Sequence, residues 1–410
     1  MNYAASRLAP VKPSASAVVS ERAKLMRAAG HDVIDLGLGE PDFDTPDHII
    51  EAAFAAAKNG QTRYPPTGGT SALRSAVGEK LQRDNALDYK NDEIIVSNGA
   101  KQVIFAALMA SMEPGQEVIL CAPYFGSYKD IVLIQGGVPL TVECSAENGF
   151  RLTPERLEAA ITPQTRWLFL NSPSNPTGAV YSEAELMALG EVLLRHEQVL
   201  ILSDEIYEHI VFDGCRHSAF VAACPELRDR TLTVNGVSKA YAMTGWRIGY
   251  GAGHQKLIAA MTKVQSQISS GACSVAQAAA VAALNGPQDE VTRFRTAFEQ
   301  RRNRIVSSVA SIDGLTLDAP GGAFYAYIGC ADFIGATLPN GERIEDDVAF
   351  TQYVLDKAQV AAVPGSAYGL SPFFRLSTAA SEQTLADAMS RIAGSLAPLT
   401  IDPNPDENTL

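Results

Sequence analysis

From about residue 90 to residue 285, short apolar runs rich in β-branched residues alternate with segments of helical period. This alternation constrains the fold more than any other feature of the chain. Runs this short and continuously apolar read as strands covered on both faces, and intervening helices supply the cover in a parallel sheet. The runs are Ile94-Ile95-Val96, Val118-Ile119-Leu120, Trp167-Leu168-Phe169-Leu170, Val199-Leu200-Ile201-Leu202, Thr231-Leu232-Thr233-Val234 and Ile248-Gly249-Tyr250. Between them, 100–111 carries Val103, Ile104, Ala107 and Leu108 on one helical face and stops at Glu113-Pro114-Gly115. Residues 182–195 open with Ser182 and place Glu185 three positions on, a capping-box pattern.

After about residue 290 the pattern changes. A charged helix containing Glu299–Arg304 leads to short strands near Leu315–Leu317 and Phe324–Ile328, then helices near 346–358 and 381–396. This reads as a smaller α+β unit appended to the large one. The polar tail 402–408 is expected to fray.

The chain has 410 residues and a net charge of −13, so nucleic acid and anionic membrane are not expected partners. No run has the roughly 20 apolar residues that span a bilayer, and the N-terminus lacks a signal-peptide core; the expected location is the cytoplasm. Six cysteines form no CxxC pair, and His209 and His217 have no evident third ligand, so no metal site is expected.

The candidate chemistry sits where open parallel sheets place their ligands, at the C-terminal ends of strands. Ser97-Asn98-Gly99-Ala100-Lys101 leaves a strand and opens a helix, whose N-terminal amides can hold a phosphate; by itself it is also an ordinary tight turn. Asn171-Ser172-Pro173-Ser174-Asn175-Pro176-Thr177-Gly178 follows another strand and presents an amide donor at Asn175. Asp204 and Tyr207 follow a third, at an expected turn into a helix that Asp204 could cap. Lys239 follows a fourth, and Arg247 heads the strand after that. A lysine that acts as a nucleophile must shed its proton, which burial or neighbouring cations promote. Lysine, acid, phenol, amide and arginine at one sheet edge match the needs of pyridoxal phosphate: an amine for its aldehyde, an anion beside its ring nitrogen, donors to its phenolate and a phosphate cup.

NSPSNPTG, SDEIYEH, TLTVNGVSKAYAMTGWRIGY and FRLSTA together resemble the class I, fold-type I pyridoxal-phosphate aminotransferases, in particular the bacterial aspartate and aspartate/prephenate subgroup. The resemblance runs from VKPSASAVVS and LGLGEPDFDTP to the final helix. It implies a mostly parallel seven-stranded sheet flanked by helices in a large cofactor domain at 48–290. A smaller α+β domain at 291–410 and an arm at 1–47 that joins it complete the expected chain.

Residue by residue, the resemblance implies that Lys239 bonds the cofactor and then moves the proton, and that Asp204 pairs with the ring nitrogen. Tyr207 and Asn175 would meet the phenolate oxygen; Gly99, Ala100, Ser238 and Arg247 would hold the phosphate, joined by Tyr64 from the other chain of a homodimer. Arg375 would grip the substrate's α-carboxylate, helped by Asn175 and Gly39; Lys101, with Ser14 near it, would meet a side-chain carboxylate. Lys12 falls where prephenate-using members keep a lysine. The implied activity is ping-pong transfer of an amino group between acidic L-amino acids and 2-oxo acids.

Phe125 stands where the family usually has a tryptophan over the ring, and Ala100 and Thr378 are further departures beside the substrate. Phenylalanine stacks but offers no indole N–H to a carboxylate. Aromatic or other neutral amino acids, and a lyase reaction on the same fold, therefore stay open. A DNA-binding sensor is disfavoured because the match starts within about ten residues of Met1, and Gly236-Val237-Ser238-Lys239-Ala240 lacks the second glycine of a serine-hydrolase elbow.

Overall fold

The computed structural model describes residues 3–338 and 341–399, so the expectation for the 402–408 tail lies outside the described residues. Seven strands form the central sheet: β1 (Ile94–Ser97), β2 (Glu117–Ala122), β3 (Val138–Glu143), β4 (Thr165–Asn171), β5 (Leu200–Asp204), β6 (Thr231–Gly236) and β7 (Gly249–Ala252). Their order is β1-β7-β6-β5-β4-β2-β3. All neighbours are parallel except β7, which runs antiparallel to both β1 and β6. The run read as 248–250 is that antiparallel strand.

The apolar runs became buried strands because helices cover both faces. Ile95, Val118, Leu120, Phe169, Leu202 and Val234 pack on one side with Val103, Ile104 and Leu108 of helix Ala100–Ser111. Ile119, Leu168, Leu170 and Ile201 pack with Leu186, Leu189 and Leu193 of helix Glu183–Leu194. That second helix begins at the Ser182–Glu185 capping box expected from sequence.

The C-terminal part is built on helix Asp289–Val309 and a three-stranded antiparallel sheet, β8 (Tyr325–Gly329), β9 (Val363–Pro364) and β10 (Phe373–Ser377), ordered β9-β10-β8. Helices Asp347–Ala358 and Glu382–Leu396 complete its core with Phe350, Val354, Leu385 and Ile392. The segment near Leu315–Leu317 makes only an isolated bridge between Thr316 and Gly329. The chain's early part joins this unit by pairing Ile34–Asp35 with Val360–Ala361. No helix among the described residues is long and apolar enough to cross a membrane.

Candidate active site

A cavity of about 370 Å3 opens at the C-terminal ends of β4, β5 and β6, within the size range of small-ligand sites. The sequence candidates Ser14, Gly39, Ala100, Lys101, Phe125, Asn175, Asp204, Tyr207, Ser238, Lys239, Arg247 and Arg375 all line it. Lys12 does not; its backbone N–H faces Asp130 at 3.4 Å. Tyr64 is 93% exposed and lies outside the cavity of its own chain.

At one end, helix Ala100–Ser111 starts at Gly99, whose φ of 83° is a conformation that favours glycine. No side chain caps this helix, so its first amides are free for an anion. The Arg247 guanidinium occupies the direction in which a Cβ on Gly99 would project. Arg247 itself has φ 57°, and its Nη1 donates to Thr244 O at 2.8 Å, so the loop after Lys239 is folded back to aim the guanidinium. An uncapped helix N-terminus, a glycine that admits close approach and an arginine fork make a cup for a phosphate.

Asp204 ends β5 and is buried. Tyr128 donates to its Oδ2 at 2.5 Å, and the backbone N–H of Ile206 donates to Oδ1 at 3.3 Å. Burial lifts the carboxyl to about 6 against the pull of these donors, so it gains from a cationic partner. The segment after Asp204 is a turn rather than the expected helix. Tyr207 projects from that turn, and its hydroxyl lies 2.7 Å from that of Tyr325 on β8.

Lys239 donates to Gly39 O at 2.7 Å. Burial, then the charges of Arg375 and Arg247, lower its amine to about 8 although Glu40 and Asp204 oppose the shift. The setting therefore gives a substantial neutral fraction at mildly alkaline pH, as a nucleophile or base requires.

Arg375, on β10, is 2% exposed. Its Nη1 donates to Asn175 Oδ1 at 2.9 Å and its Nη2 to Gly37 O at 2.5 Å and Ser16 Oγ at 3.2 Å. The rings of Tyr325 and Tyr368 lie 4.5 and 5.1 Å from its guanidinium carbon. Its Nε is buried without a hydrogen-bond partner, a cost that an incoming carboxylate can relieve. Lys101 is exposed overall, yet its ammonium stands 5.1 Å from the centre of the Phe125 ring. Desolvation, then Arg247, lowers its pKa below the usual lysine value.

Four basic side chains thus meet two acidic ones, Asp204 and Glu40, in one cavity of a chain with net charge −13. That surplus suits an anionic cofactor together with an anionic substrate. Tyr128, Tyr325, Ser16 and Glu40 were not singled out from sequence. Tyr128 had a signal, since it lies three residues beyond Phe125, in the first turn of helix Ser127–Ile134.

The fold and this cavity define a pyridoxal-phosphate-dependent transferase, and the chain belongs to the aminotransferase class I and II family, whose model matches residues 31–392. It is an aminotransferase, and the aspartate aminotransferase type to which it is similar uses pyridoxal 5′-phosphate. It is 54% identical to an aspartate aminotransferase of Rhizobium meliloti over 95% of either chain. It is 50% identical to the aspartate/prephenate aminotransferase of Cereibacter sphaeroides, over 96% of this chain and 98% of the relative. The crystal structure of an aspartate aminotransferase from Rhizobium meliloti superposes with a TM-score of 0.95 at 52% identity, covering 98% of this chain and all of that one. An aspartate aminotransferase from Thermus thermophilus with maleate matches at 0.90 and 40% identity, over 97% of this chain and all of the other.

Proposed function

We propose that this enzyme transfers the amino group of aspartate or glutamate to a 2-oxo acid, 2-oxoglutarate or oxaloacetate, as a cytoplasmic homodimer that shares its sites between chains. The carrying observation is the single cavity in which Lys239, Asp204, Arg247 and Arg375 converge with Lys101. Pyridoxal phosphate, when bound, supplies an aldehyde carbon that amines can join and a ring that takes up the electron pair left when the Cα proton departs. Arg247, Ser238 and the amides at Ala100 would hold its phosphate, Asp204 would pair with its ring nitrogen, Tyr207 and Asn175 would donate to its phenolate oxygen, and Phe125 would cover its ring. Arg375 orients the substrate through its α-carboxylate, with Gly39 beside it, and Lys239, its amine lowered to about 8 by this setting, takes the proton from Cα and returns it on the other side of the exchange.

Lys101 and Ser14 take the second carboxylate of a dicarboxylic substrate. The similarity to enzymes named for aspartate supports this reading. The relative named for prephenate supports a second acceptor, with Lys12 as the residue to vary, although Lys12 lies outside the cavity of its own chain. Tyr64, exposed near the exposed Phe54 and Ile50 in sequence, reaches the partner's phosphate cup. We assign 48–290 to the large domain, with 1–47 and 291–410 as the arm and small domain.

A single-turnover test decides the reaction. Aspartate added alone should convert one equivalent of bound cofactor to its pyridoxamine form, read by absorbance. Continuous release of ammonia or pyruvate would overturn transamination in favour of a lyase.

A further inference from the structure

Behind the cavity lies a second cluster of charge that the reaction does not use. Asp204 and Tyr207 line the cavity, whereas Glu205 and Glu208 of the same turn point into the protein, with side chains 1% and 4% exposed. Glu208 Oε1 accepts from Lys80 Nζ and, at 2.7 Å, from Asn235 Nδ2, and its Oε2 accepts from Asn85 Nδ2 at 2.8 Å. Glu205 Oε1 accepts from Ser203 Oγ at 2.8 Å and Phe220 N at 3.1 Å, and its Oε2 lies 3.2 Å from His217 Nε2.

Glu205, Glu208 and His217 lie close enough together to suggest a metal site. The donor set argues against one, because every carboxylate oxygen already has a partner and Lys80 supplies a cation at Glu208. Two carboxylates against one ammonium leave one negative charge, and a proton on His217 balances it. Burial alone would strip that proton, yet contact with Glu205 and the field of Glu208 outweigh burial and raise the pKa of His217 above the usual value. His209, whose Nε2 stands 3.4 Å from Glu208 and 3.8 Å from Asp84, is shifted the other way, mainly by burial, and is no substitute. Asp84 also lies 3.9 Å from Lys80, but its charge is met by Arg83, whose Nε and Nη2 donate to it at 2.7 and 3.0 Å, so it does not alter the count; Arg216 and Arg295 line the adjoining pocket.

The network touches both halves of the site. Glu205 N donates to Val234 O at 2.9 Å, and Asn235 stands four residues before Lys239 on the strand that delivers it. We propose that His217, as an imidazolium paired with Glu205, is a positioning residue that fixes the Asp204–Glu208 turn from behind, so that its proton tightens cofactor binding. This rests on the reading of Asp204 and Tyr207 as cofactor groups.

The full-length chain, stripped of cofactor, is titrated with pyridoxal phosphate across pH, as wild type, His217→Gln, Glu205→Gln and the double variant. Carbon-labelled histidine NMR assigns the His217 midpoint by the signal lost in His217→Gln. His217→Gln is expected to weaken cofactor binding about ten-fold below that midpoint, a coupling of about 1.4 kcal/mol. The ratio of its dissociation constant to that of wild type should fall to one as pH rises through the midpoint, where wild type loses the same proton. Glu205→Gln added to His217→Gln should restore part of the affinity by removing the unbalanced charge.

A His217→Gln protein with lowered thermal stability but unchanged cofactor affinity at every pH would overturn the proposal, as would a ratio that ignores the NMR midpoint. Asp204→Asn separates this from the underlying reading. If it weakens cofactor binding while His217→Gln does not, only the role of His217 fails. If neither does, the assignment of Asp204 fails with it.

Discussion

Tyr128 donates a 2.5 Å hydrogen bond to Asp204 from a position 76 residues earlier in the chain, and both groups are buried. The bond holds the carboxylate against the burial that lifts it to about 6. Tyr128→Phe keeps the ring packed on Phe125 and Phe169 and removes only the donor. Hydrogen bonds to charged groups contribute about 1.5–3 kcal/mol, so pyridoxal phosphate should bind roughly ten- to a hundred-fold more weakly. Equilibrium titration of the stripped enzyme measures this, and affinity equal to wild type would remove Tyr128 from the site.

Lys239→Ala should lower transamination by about 10²–10⁴-fold or more, the range for loss of a positioned acid–base group. The same variant should make the cofactor-free protein more stable. The Lys239 amine titrates near 8 when folded, below its usual 10.5, so the unfolded chain binds the extra proton across that window and stability rises with pH there. Below pH 8 the wild-type lysine opposes folding by about 3 kcal/mol, a gain that Lys239→Ala shows at pH 7 and loses by pH 11. Urea unfolding at several pH values reads both arms.

Much of this fold was legible because its strands are apolar throughout. β3 was not: Val138–Glu143 is an edge strand with exposed Val138 and a proline inside it, so it lacks the continuous apolar run. The turn after Asp204 reads from sequence as a helix start because Asp204 resembles a cap; tertiary contacts, Phe220 N to Glu205 and Asn235 Nδ2 to Glu208, hold it as a turn instead. Cavity residues were found at strand ends and through the family motifs. Tyr325, which meets Tyr207 across 118 residues, has no local signature that separates it from its buried aromatic neighbours Phe324 and Tyr327.

Lys101→Ala should lower kcat/KM for aspartate and glutamate by about 10–100-fold, the scale of one lost charge-assisted contact, and leave alanine nearly unchanged. Because desolvation lowers the Lys101 pKa, its charge is lost earlier than for an ordinary lysine as pH rises. The wild-type preference for aspartate over alanine should therefore decline on the alkaline side and be flat in Lys101→Ala. Equal losses on all substrates would refute a distal-carboxylate role.

Tyr64, 93% exposed on its own chain, is the strongest handle on the proposed sharing of sites between chains. A Tyr64→Ala chain keeps Lys239, and a Lys239→Ala chain keeps Tyr64, so each homodimer should be impaired. In a hybrid, the site on the Tyr64→Ala chain receives its tyrosine from the other chain and is complete. Random exchange at equal concentrations makes half the dimers hybrids with one complete site each, so about one quarter of wild-type activity should return. Exchange is followed by native mass spectrometry, and activity should rise in step with the hybrid peak. Hybrids that form without any recovery would show that Tyr64 serves the site of its own chain or none.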